Sequence, residues 1–321
     1  MKQETFVRLR SKNWNFLEKL LLDKRKGVRK SSADFPDYYR EITQDLNIAK
    51  AEAYEPDLVD RLNRLVLECH QYLYGVRKFS VKPLLSFWSN VFPAAVRSEL
   101  LLVIICHLLF YGSSFFVGFF VAQNPESIFQ FLSESRVDQI EEMYNPSAEH
   151  YLKPRNITGD AEMFSFYIYN NISIAFRTFA GGLLAGFGSI LFLCYNGIFL
   201  GAVSGHLINS GFSRPFFSFV IGHSSFELTA IIFSAMAGLK LGWSLLWTSG
   251  LKRADSLKKA ARKALPLISG SALMLLIAAV IEAFWSSRHG FPFALRIGTG
   301  VGVWFFLIVY FVLAGRKKID F

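Results

Sequence analysis

Cysteine is scarce in this chain of 321 residues, with three in all. Cys69, Cys106 and Cys194 share no CxxC spacing, which excludes a disulfide framework and a zinc motif of ordinary ligand spacing. Also missing is an apolar stretch at the start. Met1 to Lys30 interleaves Trp14, Phe16 and Leu20 with many charges, so no secretory signal is expected, and the first spanning segment is expected to act as the internal insertion signal. No Walker loop, nucleophile elbow or dinucleotide fingerprint occurs in a credible context, and HExxH is absent. These absences remove the common hydrolase, nucleotide-binding and zinc-protease readings, and no cofactor follows from the sequence.

What is abundant is apolar. The composition is 52% hydrophobic with 33 Phe, above the roughly 45–50% apolar share of soluble domains, and the excess lies after Arg97. The formal charge of +10 is placed as membrane topology demands rather than as nucleic-acid binding. Residues 1–97 hold 18 Lys/Arg and 12 Asp/Glu (18 − 12 = +6), residues 251–263 hold 6 and 1 (6 − 1 = +5), and Arg316, Lys317 and Lys318 stand at the end. Basic segments flanking apolar runs are the positive-inside pattern. The expected fold class is therefore all-α: a polytopic membrane protein with about six transmembrane helices and an N-terminal cytosolic helical domain.

In residues 1–97, Trp14, Leu17, Leu20 and Leu21, then Leu58, Leu62, Leu65, Val66, Cys69 and Leu73, recur at helical spacing. Breaks at Gly27 to Pro36 and Glu55 to Asp57 predict amphipathic helices near 6–26, 37–54 and 57–78. Pro83 to Arg97 reads as an amphipathic lead-in at the membrane interface. Residues 98–321 form the membrane domain. Its spans are expected near 99–122, 164–184, 186–208, 214–239, 265–285 and 291–314, with an acidic outer loop at 123–162 and both termini inside. A competing reading makes 164–180 a surface or re-entrant helix. The basic 251–263 segment reads as a topogenic loop touching anionic lipid.

The run from Asn170 to Gly242 carries the polar residues that lipid does not forgive: Asn170, Asn171, Arg177, Asn196, His206, His223 and Glu227. An ionisable side chain inside a bilayer faces protein or water. His223 and Glu227 are four apart and share a helical face. Three readings stand for the pair: a structural hydrogen bond, a proton or ion relay, and metal binding with His206 or Glu282 recruited from other helices. Glu282 either faces the periphery or caps the pair. Small residues at helical spacing, namely Gly197, Gly201 and Gly205, Gly182 and Gly186, and Gly298 and Gly302, allow close helix approach within the chain or across a homodimer seam.

These residues resemble the stage II sporulation protein M family. The resemblance runs over roughly residues 97–290 through Asn170-Asn171 with Phe176, Phe179 and Gly182, through Tyr195-Asn196-Gly197 with Gly201, and through His223 to Ala230 with Glu227, Ala237 and Gly238; Glu282 also fits. Trp14, Tyr38-Tyr39-Arg40, Asp45-Leu46 and Leu62-Asn63, with a sixth span, are similar to a longer branch of that family. The resemblance implies a bacterial inner-membrane scaffold that is not itself an enzyme. Its implied partners are other envelope proteins and, for the long branch, a MoxR-type ATPase and von Willebrand-type domain proteins. The leading expectation is a non-catalytic scaffold for envelope remodelling or stress functions. A transporter or channel lined by His223, Glu227 and Asn196, and an intramembrane metal-binding protein, are the alternatives. Nucleic acid is not an expected partner.

Overall fold

The structure, a computed structural model, describes residues 1–25, 35–74, 81–148, 157–288 and 290–316. Among them there is no strand. The chain divides into two compact units, Met1–Ser80 and Val81–Phe321.

The first unit contains α1 (Gln3–Arg25), α2 (Phe35–Ala51) and α3 (Pro56–Tyr74). Pro56 opens α3, where its missing N–H and fixed φ suit a first helical turn. The apolar stripes close on a common core of Phe6, Trp14, Leu17, Ile42, Leu62 and Cys69. Most of the Gly27 to Pro36 break and the expected extension of α3 to residue 78 lie outside the described residues.

Trp14 Nε1 donates to Asp45 Oδ2 at 2.8 Å, and Arg10 stands 3.5 Å from the other carboxylate oxygen. Burial nonetheless raises the Asp45 pKa above its ordinary value, outweighing the Trp14 hydrogen bond and Arg10, with Glu41 adding a smaller push in the same direction. The folded unit therefore holds this proton more tightly than the unfolded chain. Its stability should fall as pH rises from the usual carboxylate range through the raised value. Asp45→Asn keeps an acceptor for Trp14 and should flatten that dependence. Hydrogen exchange of the α1 and α2 amides in the full chain, followed from acid to neutral pH, checks it. An unchanged slope would contradict the assignment.

The second unit begins with a continuous helical segment, α4 (Lys82–Ser86), a π turn at Phe87–Val91, and α5 (Phe92–Arg97). The unit boundary thus precedes this segment rather than following residue 97. The reason is packing: Phe92 is fully buried, with its ring 5.8 Å from Phe233 and 5.4 Å from Phe311, and it presses against Gly270. The α5 end of the segment is an inserted wedge, with Phe92, Pro93, Ala95 and Val96 buried, whereas α4 buries no residue and leaves Leu84 and Leu85 exposed.

After α6 (Leu100–Gln123), a 3-10 turn (Pro125–Gln130) and α7 (Glu134–Tyr144) lie in the acidic loop, whose residues 149–156 are outside the described ones. Then come α8 (Ile157–Ala180), α9 (Phe187–Asn209), α10 (Ser213–Val220), α11 (Ser224–Leu246), α12 (Arg253–Ile281) with a π turn at Glu282–Ser286, and α13 (Phe293–Leu313). Five of these helices, α6, α9, α11, α12 with its π turn, and α13, are long and apolar enough to cross a membrane. The remaining expected span, near 164–184, corresponds to α8, 24 residues long but carrying Asp160, Glu162, Asn170, Asn171 and Arg177.

Two expectations are corrected here. Residues 214–239 are not one helix: the chain turns at Ile221 to His223 between α10 and α11. Gly222 lies in this turn close against the end of α12, where a Cβ would sit 3.2 Å from Ser286 Oγ and from Trp285 Cδ1. The basic 251–263 segment is not a loop but the opening turns of α12, rich in Ala, Lys and Arg, all good helix formers. Ser256 Oγ ties it back to the Ser244 carbonyl at 2.9 Å.

Glycine sets the interior spacing. Gly197, Gly201 and Gly205 of α9 lie directly on the α6 backbone at Phe110, Ser114 and Gly118, while Gly182 meets Gly238 and Gly186 meets Gly242. The GxxxGxxxG face is therefore used inside the chain. Among the described residues, a Cβ at Gly298 or Gly302 would meet nothing within 4 Å.

Candidate functional site

The site is assembled by a helix start and a helix end. His223 is the N-cap of α11, and its carbonyl accepts from the Phe226 and Glu227 amides at 3.0 and 3.1 Å. One turn on, Glu227 reaches back, with Oε2 3.7 Å from His223 Nε2. The other ring nitrogen, Nδ1, is 3.0 Å from Ser286 Oγ. Ser286 and Glu282 bound the π turn that ends α12, and the wider winding of that turn puts both on one side. The ligand atoms of His223, Glu227 and Glu282 all lie within 4.8 Å of one another.

Burial is deep: His223 is 4% exposed and Glu282 is 8% exposed. Groups with this capacity for charge are retained inside a protein only where partners answer them. A further buried cation stands on α13 beside the π turn. Arg296, 5% exposed, donates through Nη1 to the carbonyls of Ser286 at 3.0 Å and Ser218 at 3.2 Å, tying α10, the π turn and α13 into one frame. Phe219 closes an edge, its ring 5.3 Å from that of His223.

The other expected residues fall elsewhere. Asn171 is 2% exposed on α8, its Oδ1 accepting from Asn170 Nδ2 at 3.1 Å. Asn196 donates to the Phe192 carbonyl of its own helix at 2.7 Å and is not part of the cluster. His206 is not a fourth ligand, because its Nε2 is 2.7 Å from Glu141 Oε1 on α7, with Ser210 beside both. Arg177 is exposed and donates to Ser173 O. The cluster lies at the shared end of α11 and α12, not midway along them. Ser286 and Arg296, beside the cluster, and Glu141, the partner of His206 outside it, are the residues that sequence reasoning missed.

A histidine nitrogen and two carboxylate oxygens form a donor set suited to zinc and similar first-row divalent ions. Two donors on one such ion stand at most about 4.2 Å apart, twice a bond of roughly 2.1 Å, so a small inward movement of the side chains completes a three-donor site.

These features define a polytopic helical membrane protein with a buried histidine–carboxylate cluster at the end of two packed spans. The chain belongs to the stage II sporulation protein M family, whose match covers residues 107–287, more than half its length and all of His223, Glu227, Glu282 and Ser286. A domain of unknown function (DUF8413) matches residues 4–75, the helices of the first unit. A curated relative, uncharacterized protein MJ0793 of Methanocaldococcus jannaschii, is 25% identical over 123 residues, 38% of this chain and 69% of that protein. No solved structure matches.

Proposed function

We propose that this protein is a non-catalytic membrane scaffold, in which the N-terminal three-helix unit presents a docking body to partners while the membrane unit anchors it. The observation that supports this is the division of the chain: residues 1–80 close a core of their own around Trp14 and Leu62. In this reading the basic flanks place both termini on the cytoplasmic side of a bacterial inner membrane, and the partners are envelope proteins. The family resemblance suggests a MoxR-type ATPase and von Willebrand-type domain proteins among them. The test is quantitative co-purification from native membranes, comparing the full chain with one lacking residues 1–80. A set of stably associated proteins should be lost with the first unit. Equal recovery on a folded membrane unit, or turnover that requires Glu227, would remove the proposal.

A second reading is favoured by one specific observation, the convergence of Glu282 on the His223–Glu227 pair. In it the cluster holds a divalent cation that clamps the start of α11 to the end of α12. The two readings are compatible, because a cation-locked membrane unit remains a scaffold.

A further inference from the structure

A cleft of about 440 Å³ opens between α5, α6, α11 and α13, and its α11 wall is formed by Thr229 and Phe233, beginning two residues after Glu227 of the histidine–carboxylate cluster. The volume is within the range of small-molecule sites. The cleft's walls are mostly hydrocarbon, from Leu100, Val103, Phe233, Leu307, Ile308 and Phe311, with His107 and Thr229 the polar side chains among them. Its α13 wall runs from Trp304 to the end of the helix at Leu313, roughly 14 Å at 1.5 Å per residue. That is about half of a hydrocarbon core of roughly 30 Å, the depth of one leaflet.

The mouth has the opposite character. Arg97, ending α5, and Arg316, just beyond α13, both line the cleft. Arg97 Nη1 donates to the Phe311 carbonyl at 2.7 Å, and Arg316 Nε donates to the Val312 carbonyl at 3.2 Å. These bonds hold both guanidiniums over the C-terminal turn of α13, and each guanidinium carries five N–H donors in all. The nearest acid in sequence, Glu99, is paired with Lys240, so it does not cancel the arginines. Trp88 and Tyr310 stack at 5.7 Å by the same helix end, and aromatic rings of this kind mark the headgroup level. An apolar trough one leaflet deep, capped at headgroup height by two cations that bind phosphate well, fits one class of occupant.

We propose that this cleft binds an anionic phospholipid of the surrounding membrane, with an acyl chain along Leu100, Phe233, Leu307 and Phe311 and the phosphate between Arg97 and Arg316. The bound lipid fills the gap between α6 and α13 and fixes α13 against α11. This does not rest on the scaffold or cation readings and survives their failure.

The test uses the full-length protein in nanodiscs of phosphatidylcholine doped with phosphatidylglycerol, followed by native mass spectrometry of the lipid retained after ejection. Wild type should retain phosphatidylglycerol in preference to phosphatidylcholine. Arg316→Gln, an exposed position that leaves packing alone, should lower that preference about fivefold, and Arg97→Gln with Arg316→Gln about thirtyfold, as expected for roughly 1 kcal/mol per basic residue at an anionic surface. Ile308→Trp, which fills the trough, should lower retention of both lipids, with thermal unfolding confirming an intact fold. Equal retention of the two lipids by wild type, a preference indifferent to Arg316→Gln in a folded protein, or displacement of phosphatidylglycerol by trace isoprenyl phosphate would each overturn the assignment.

Discussion

Gly201→Val should prevent the membrane unit from assembling, whereas Gly112→Ala, on the partner helix of the same pair, should be tolerated. A Cβ at Gly201 would collide with the Ser114 carbonyl of α6, and its neighbours a turn away, Gly197 and Gly205, rest on Phe110 and Gly118 in the same manner. Because the obstacle is backbone, no rotamer change relieves it, and α6 must move off α9 along their whole contact. Overpacking of ordinary side chains costs about 1–3 kcal/mol; here the upper end of that range or beyond is expected. A Cβ at Gly112 meets nothing within 4 Å, so the added methyl only favours the helix. Yield of monodisperse protein and thermal unfolding in detergent distinguish the two. A folded Gly201→Val protein with wild-type stability would refute the close α6–α9 contact. If the glycine face were instead a homodimer seam, the variant would shift the oligomeric state and leave the monomer's unfolding unchanged.

The contrast between these glycines shows what could be read from the chain. Spacing identified Gly197, Gly201 and Gly205 as a close-packing face, because periodicity is local information. It could not name the partner, since α6 lies far away in sequence and Phe110, Ser114 and Gly118 carry no signal beyond their own period. The same limit governed the site. His223 and Glu227, four residues apart, were legible as one face, even though the chain turns at Gly222 so that the histidine caps a helix instead of sitting within one. Glu282 was visible as a carboxylate in an apolar run, but its side was open because the α12 π turn, which sets its direction, is settled by packing against α8 and α10. Nothing in the sequence singles out Arg296; its role depends on the carbonyls of Ser218 and Ser286, which only the folded chain brings together. His206 was legible as a buried polar residue, yet its partner Glu141 belongs to the acidic loop, where so many carboxylates stand together that none is singled out.

Glu282→Gln should release a divalent cation and, with it, much of the coupling between α11 and α12. In the cation reading the wild-type protein, purified without chelator, carries one equivalent of a first-row metal, and His223, Glu227 and Glu282 supply its protein donors. A cation bound only to the folded state stabilises it by RT ln(1 + [L]/Kd), about 2.7 kcal/mol at a hundredfold excess over Kd. A chelator should therefore lower the melting temperature of wild type, and added zinc should restore it. Glu282→Gln keeps the size of the side chain but replaces an anionic ligand with a neutral amide, so the metal should be lost and the melting temperature should no longer respond to chelator. Ser286→Ala acts one step back: it removes the contact to His223 Nδ1 that orients the ring, and such outer partners are worth about 10–100-fold in metal affinity. It should bind the ion more weakly while still responding to a large excess of it, a graded effect that a merely structural hydroxyl would not produce. A fully folded wild type that is free of metal, and whose unfolding neither chelator nor zinc moves, would sink the cation reading. The cluster would then be a hydrogen-bonded lock, in which case Glu282→Gln and His223→Ala should destabilise the membrane unit equally with and without chelator.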